Sequence, residues 1–208
     1  MQNKWYGDKR DLVKWGTLIH LAGEDPSARI LQVLMMRPDC ERDSGLAERG
    51  PRGVQNRAIS ESVFDHFRRV HNITCLDKRI AIYDKPFPEK DQGRCQEERE
   101  RYFLAVCEWI GRFRGKRRIV LVDPDTGIKR KRRTWKHIED GELKELYRQL
   151  DRGDTLVLYQ HGQLFRNDWL RARLAQFAKA VKVEKNKVRV FRCCELARDV
   201  ALFAVNKS

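Results

Sequence analysis

The sequence predicts a three-layer α/β fold, in which a mostly parallel sheet is covered by helices on both faces and ends in an antiparallel hairpin. Three observations carry this. Apolar runs of strand length recur along the 208 residues, segments with helical spacing separate most of them, and the last two runs stand too close together for a crossover. A single domain spanning residues 1–208 accommodates them all, since a chain of this size buries one sizeable core.

The elements follow in order. Asp11 to Ala22 has helical spacing, with Leu12, Trp15, Ile19 and Ala22 on one face, and leads into a strand from Ile30 to Met36. Arg37 to Gln55, with Pro38, Gly45, Gly50, Pro51 and Gly53, reads as a loop rimming the end of that strand, a candidate lid or substrate loop. Ile59 to Val70 returns to helical spacing through Ile59, Val63, Phe67 and Val70, and Arg79 to Tyr83 is the next strand. A second loop covers Lys85 to Gly93, which contains Pro86 and Pro88. Gln96 to Phe113 lines up Phe103, Val106, Cys107 and Ile110 as a buried helical face ahead of the strand Ile119 to Val122. A helix over Ile138 to Leu150, a strand over Thr155 to Tyr159 and a helix over Trp169 to Val181 continue the alternation. The final strands, Val188 to Cys193 and Val200 to Val205, are separated by Glu195-Leu-Ala-Arg-Asp199. Parallel neighbours need a connection of roughly a dozen residues or more, so these two must run antiparallel.

Composition narrows the partners. Lys and Arg number 44 against 30 Asp and Glu, a formal net charge of +14, and such an excess gathers polyanions by long-range attraction and counterion release. Nucleic acid is the expected partner. The sequence opens Met1-Gln-Asn-Lys-Trp-Tyr-Gly-Asp8, polar and aromatic, and contains no apolar run of signal-peptide or membrane-spanning length, so a cytoplasmic protein with no membrane association is expected. The six cysteines, Cys40, Cys75, Cys95, Cys107, Cys193 and Cys194, form no CxxC pair, which argues for reduced thiols rather than a zinc ribbon. Cys193 and Cys194, if both lie in a strand, point to opposite faces and cannot share a metal.

Three polar constellations interrupt the apolar pattern. Gly7-Asp8 followed by Asp11 and Lys14 leads into the first helix, where Asp8 can cap the helix and Asp11 can pair with Lys14 at i and i+3. Arg118-Ile-Val-Leu-Val-Asp-Pro-Asp-Thr-Gly127 is an apolar strand that stops at two carboxylates and a turn glycine, at the sheet edge where open α/β folds bind ligands. Asp123 and Asp125 there can bind a metal, act as a base, hold a ligand amine, or serve the turn alone. Leu156-Val-Leu-Tyr-Gln-His161 ends in the same way, and His161 can serve as acid, base or ligand. His20, His66, His71 and His137 fall on helices or their ends and read as structural. Lys129, Arg130, Lys131, Arg132 and Arg133, directly after the Asp-Pro-Asp turn, would form a phosphate-holding rim, with Arg166 as a further clamp. Met36-Arg-Pro-Asp39 stands where a glycine-rich cofactor turn would follow the first strand, and there is no Walker P-loop, G-x-S-x-G elbow or H-E-x-x-H helix.

On these blocks the chain resembles an uncharacterised bacterial family with a Gly-Asp-x-x-Asp-x-x-Lys opening, an Asp-Pro-Asp-x-Gly strand end and a Tyr-Gln-His strand end. Here they are Gly7 to Lys14, Asp123 to Gly127 and Tyr159 to His161, in the same order. More distantly it is similar to the J-type ribosomal-RNA adenine-N6 methyltransferases and the three-Cys-motif partner proteins, in which a lysine-bearing helix precedes the first strand and Asp-Pro ends a later one. That resemblance implies a Rossmann-like domain of methyltransferase topology. In the adenine methyltransferases the motif is Asp-Pro-Pro-Tyr, whose proline carbonyl and ring hold the flipped base. Asp123-Pro124-Asp125-Thr126 puts a charge and a hydroxyl there instead.

The expected function is thus that of a methyltransferase-related protein acting on or binding nucleic acid. Asp123, Asp125 and His161 would stand around the pocket, Asp123 orienting the target amine, and Asp8, Lys14 and Asp39 would line the end that receives S-adenosylmethionine. The competing enzyme is a metal-dependent nuclease or phosphodiesterase, in which Asp8, Asp123, Asp125 and His161 hold Mg²⁺ or Mn²⁺ and activate water. A non-catalytic nucleic-acid-binding module is the third expectation.

Overall fold

Aliphatic and β-branched residues fill the central strands without leaving a solvent face, as a parallel sheet covered on both sides requires. A computed structural model describes residues 9–35, 73–88, 95–128, 136–162 and 168–208. Helix α1 (Lys9–Ala22) precedes β1 (Arg29–Leu34), and the short α2 (Ile73–Leu76) precedes β2 (Ile80–Tyr83). Helix α3 (Cys95–Gly111) leads to β3 (Arg118–Asp123), followed by the two-residue strands β4 (Gly127–Ile128) and β5 (His137–Ile138). Next come α4 (Asp140–Arg148), β6 (Thr155–His161), α5 (Trp169–Ala180), β7 (Arg189–Phe191) and β8 (Val200–Asn206).

The main sheet has six strands in the order β2-β1-β3-β6-β8-β7, and β4 pairs with β5 in a small parallel sheet of its own. Strands β2, β1, β3 and β6 are parallel, while β8 runs antiparallel to both β6 and β7. The protein is therefore α/β, with a mostly parallel sheet and a C-terminal antiparallel hairpin. All six expected strands form. The expected strand Val188 to Cys193 closes at Phe191, so Cys193 and Cys194 lie beyond it and the opposite-face argument does not apply to them.

Side-chain alternation divides the core in two. Val120, Val122, Leu156 and Leu158 pack with Val106 and Ile110 of α3, Leu143 and Leu146 of α4 and Phe177 of α5. Ile119, Leu121, Val157 and Tyr159 face the other way, towards Val13, Leu18 and Leu21 of α1. At the amino edge of the sheet the fully buried Arg118 donates from Nε to Asp154 at 2.8 Å and from Nη2 to Asp151 at 2.7 Å. A charge taken out of water this completely needs such pairing. Arg99 joins α3 to α4 through Glu142 and donates to the His137 carbonyl oxygen at 2.7 Å.

Two further sequence expectations are corrected. Of the stripe Leu12, Trp15, Ile19 and Ala22, helix α1 fully buries only Ala22: Leu12 is 54% and Ile19 40% exposed, and Trp15 is only partly buried. Its inward face is Asp11, Val13, Lys14, Thr17, Leu18, Leu21 and Ala22. Apolar spacing alone picked the wrong side because three polar residues on the true face satisfy one another or the backbone. The helix expected from Ile138 begins at Asp140, because His137 and Ile138 pair with Gly127 and Ile128 as strands. His137 thus lies on a strand.

The thiols of Cys75, Cys107, Cys193 and Cys194 are free, and burial pushes the Cys107 thiol up to about 11. Cys40, the loop from Arg37 to Gln55 and the segment from Ile59 to Val70 lie outside the described residues. Among the described residues no helix is long and apolar enough to cross a membrane.

The inward face of α1 can be checked by unfolding in urea. Leu18→Ala should cost about 2–5 kcal/mol by emptying core space. Leu12→Ser should fall within about 0.5 kcal/mol of the parent, as an exposed change does. The reverse ranking would mean that α1 is rotated.

Candidate functional site at the carboxyl edge of the sheet

Strand β1 sits between β2 and β3, so the chain leaves it to one side and returns on the other. The crevice beyond the carboxyl ends of β1 and β3 is the position at which open α/β sheets take up ligands. Asp123 closes β3 there, in register with Leu34 of β1. Alternation from Ile119 and Leu121 turns its carboxylate towards α1.

That carboxylate is 2% exposed and is met by a matching cation. Lys14 Nζ lies 2.7 Å from Asp123 Oδ2 and 2.8 Å from Asp11 Oδ1, and 4.9 Å from the centroid of the Tyr159 ring. Burial alone would lower the Lys14 pKa, but the nearby Asp11 and Asp123 carboxylates outweigh it and hold the ammonium above its ordinary range. Gln32, fully buried in β1, donates from Nε2 to the same Asp123 Oδ2 at 2.8 Å. Its Oε1 is buried with no hydrogen-bond partner, an acceptor still to be matched by a donor.

The turn after Asp123 is held by Gln160. Its Oε1 accepts from the Ile128 N–H at 2.9 Å, while its Nε2 donates to the carbonyl oxygens of Thr126 at 3.1 Å and His161 at 2.8 Å. Gly127 has φ +104°, and a Cβ at this position would run into the Gln160 side chain, so glycine meets two requirements at once. Asp125 projects to the rim, partly exposed, with Lys136 Nζ at 3.8 Å.

His161 shares the α1-facing side of β6 with Val157 and Tyr159. Because β8 runs antiparallel to β6, it starts where β6 ends, with Val200 paired to His161. Asp199 is thereby placed beside the ring, its Oδ2 2.8 Å from His161 Nε2. Arg10 of α1 donates to the same oxygen, at 2.6 Å from Nη2 and 3.2 Å from Nε. Burial works to raise the Asp199 pKa, but the Arg10 hydrogen bonds and charge, together with His161, hold it below the usual carboxylate range. Beyond the histidine, Gly162 lies against the Trp169 indole, where a Cβ has no room, and the Arg192 guanidinium stands 5.7 Å from that ring's centroid.

The three sequence blocks therefore meet under α1. Lys14 and Asp123 are in direct contact, and Tyr159 adjoins them. Asp125 and His161 are each engaged by different partners, and among the described residues no group of three His, Cys, Asp or Glu side chains is arranged to hold a metal ion. Lys14 spends its charge on Asp11 and Asp123, which makes it a holder of Asp123 in this arrangement. Asp8, Asp39, Lys129 to Arg133 and Arg166 lie outside the described residues. Sequence reasoning missed Gln32, Arg10 and Asp199 as site residues. A lone amide inside an apolar strand was the available signal for Gln32, and a carboxylate just before an antiparallel strand was the signal for Asp199.

Fold and site together define a mostly parallel α/β protein with a charged layer between its first helix and the carboxyl edge of its sheet. No known protein family, curated protein or solved structure matches the chain.

Lys14→Met should cost about 3–5 kcal/mol, because two buried carboxylates lose their cation. The pH dependence has a definite sign. With the folded pKa raised, the Lys14 contribution is complete below the unfolded value of about 10.4 and declines as pH rises beyond it. Urea unfolding of parent and variant should give a gap that is constant from neutral pH to about 9 and narrows above about 10.4; a gap that widens there would contradict the arrangement.

Proposed function

We propose that this chain is a methyltransferase-related α/β protein that acts on or binds nucleic acid, with the crevice beyond β1 and β3 as its ligand site. One observation carries the reading: the last strand lies antiparallel between β6 and β7 in an otherwise parallel sheet, with an acidic residue ending the strand next to β1. That strand arrangement supports the Rossmann-like outline that the sequence resemblance implies.

An unmatched acceptor at the crevice supports a ligand that brings a donor, as S-adenosylmethionine does. Gln32 Oε1 is a buried acceptor without a donor, and Asp123 beside it has both Lys14 and Gln32 on Oδ2. An ammonium or ribose hydroxyl is the complementary group, so Gln32 and Asp123 would hold the cofactor's polar end, with Asp8 and Asp39 as further candidates. When bound, S-adenosylmethionine supplies an electrophilic methyl group. Lys14 and Gln32 keep Asp123 oriented, and His161 and Asp125 stand at the rim for the incoming substrate. The net charge of +14 supports a polyanionic substrate, with Lys129 to Arg133 and Arg166 as candidate phosphate contacts.

A thermal-shift titration with S-adenosylmethionine tests the cofactor. A ligand at a hundred times its Kd stabilises the native state by about 2.7 kcal/mol, which in a chain of this size raises Tm by several degrees. No shift at saturation rejects methyl transfer. Anisotropy of labelled single-stranded and duplex oligonucleotides should show binding that weakens steeply with salt, and less steeply once Lys129 to Arg133 are neutralised.

A further inference from the structure

The arrangement around His161 exceeds what a surface ion pair needs. Three elements contribute to it: the end of β6 supplies the imidazole, the residue before β8 supplies Asp199, and the first turn of α1 supplies Arg10. The gradient of exposure is ordered, with 35% of the His161 side chain accessible against 10% for Asp199, so the ring faces outward and the carboxylate stands behind it. The backbone is tied on both sides of the ring. The His161 N–H donates to the Thr126 carbonyl oxygen at 3.3 Å, and the Gly162 N–H donates to the Asp199 carbonyl oxygen at 2.6 Å.

An ionised carboxylate only accepts hydrogen bonds. Asp199, which Arg10 keeps ionised, must therefore receive the proton on His161 Nε2, and in the neutral ring the lone pair then sits on Nδ1. An accessible base whose opposite nitrogen is fixed by a carboxylate is the base-and-orienter arrangement of acid–base sites.

We propose that His161 is the proton acceptor of this site, with Asp199 and Arg10 as its positioning residues. The proposal rests on the methyltransferase reading above. As a protonated nucleophile of the substrate uses its lone pair to bond the methyl carbon, the carbon–sulfur bond of the sulfonium breaks and a neutral thioether departs. The nucleophilic atom is left cationic. Loss of its proton to His161 Nδ1 restores a neutral product and leaves an imidazolium against Asp199.

Two measurements decide the base without any cofactor. ¹⁵N NMR, with the ring assigned by difference from His161→Asn, should show the neutral imidazole protonated at Nε2 and bare at Nδ1. Carbethoxylation by diethyl pyrocarbonate, mapped by mass spectrometry on the alkaline plateau, should be faster at His161 in the folded protein than in the urea-unfolded chain. That gain should be lost in Asp199→Asn and reduced in Arg10→Gln, with circular dichroism confirming that both variants are folded. A proton on Nδ1, or a folded rate at or below the unfolded one, overturns the assignment.

Proton acceptance during methyl transfer is tested with tritiated S-adenosylmethionine and mixed-sequence RNA and DNA oligonucleotides. Label should enter the nucleic acid with the parent and be lost with His161→Asn while the thermal shift by S-adenosylmethionine is unchanged. Undiminished incorporation by His161→Asn overturns the proton-acceptor role. Absence of any thermal shift or of parental incorporation instead refutes the methyl-transfer reading, while the NMR and carbethoxylation results still decide the base.

Discussion

The Lys14 ammonium, held between Asp11 and Asp123 with almost no access to water, is the constraint on which the carboxyl edge of this protein depends. Dehydrating three charges is expensive, and the arrangement is stable only because each faces an opposite charge at hydrogen-bonding distance. The same bonds fix the height and rotation of α1 over the sheet. That rotation explains why the helix turns Leu12 and Ile19 to solvent: its inward face must carry the ion pair, and apolar residues flank the pair wherever space allows.

One turn earlier on the same helix, Arg10 reaches Asp199, so α1 holds two charged systems with a single rigid body. The first is almost fully buried and anchors Asp123 beside the end of β1; the second is half-open and presents an imidazole. They are joined through β6, whose Tyr159 adjoins Lys14 and whose Gln160 holds the turn that follows Asp123. Consecutive residues of one strand thus serve three tasks: Tyr159 borders the buried charges, Gln160 shapes the turn on the other side, and His161 meets Asp199. The pleat makes this division possible, because neighbouring side chains leave opposite faces.

Much of the fold was legible because a two-residue period and a helical period mark the strands and helices, and the five residues from Glu195 to Asp199 admit no crossover. The blocks containing Lys14, Asp123 and His161 were visible as polar breaks in apolar runs. Their partners were harder to see, since an ion pair joining residue 14 to residue 123 leaves no local trace in either segment. The face of α1 was misjudged for the same reason: Asp11 and Lys14 look like solvent residues until their charges are matched in three dimensions. Gln32 was overlooked inside an otherwise apolar strand. Its amide donates to Asp123, two strands of sequence but one strand of space away.

The place of β8 in the sheet has a consequence for how the chain comes to be folded. Strand β6 is bordered on one side by β3 and on the other by β8, a segment that a ribosome makes some forty residues later by the usual order of synthesis. Until residues 200–206 emerge, one border of β6 is a bare ladder of amide and carbonyl groups on a strand whose centre, Leu156 to Tyr159, is apolar. Closing that ladder also delivers Asp199 to His161. Completion of the sheet and assembly of the histidine site are therefore a single event, so a nascent chain that has not yet folded its final strand carries no finished site.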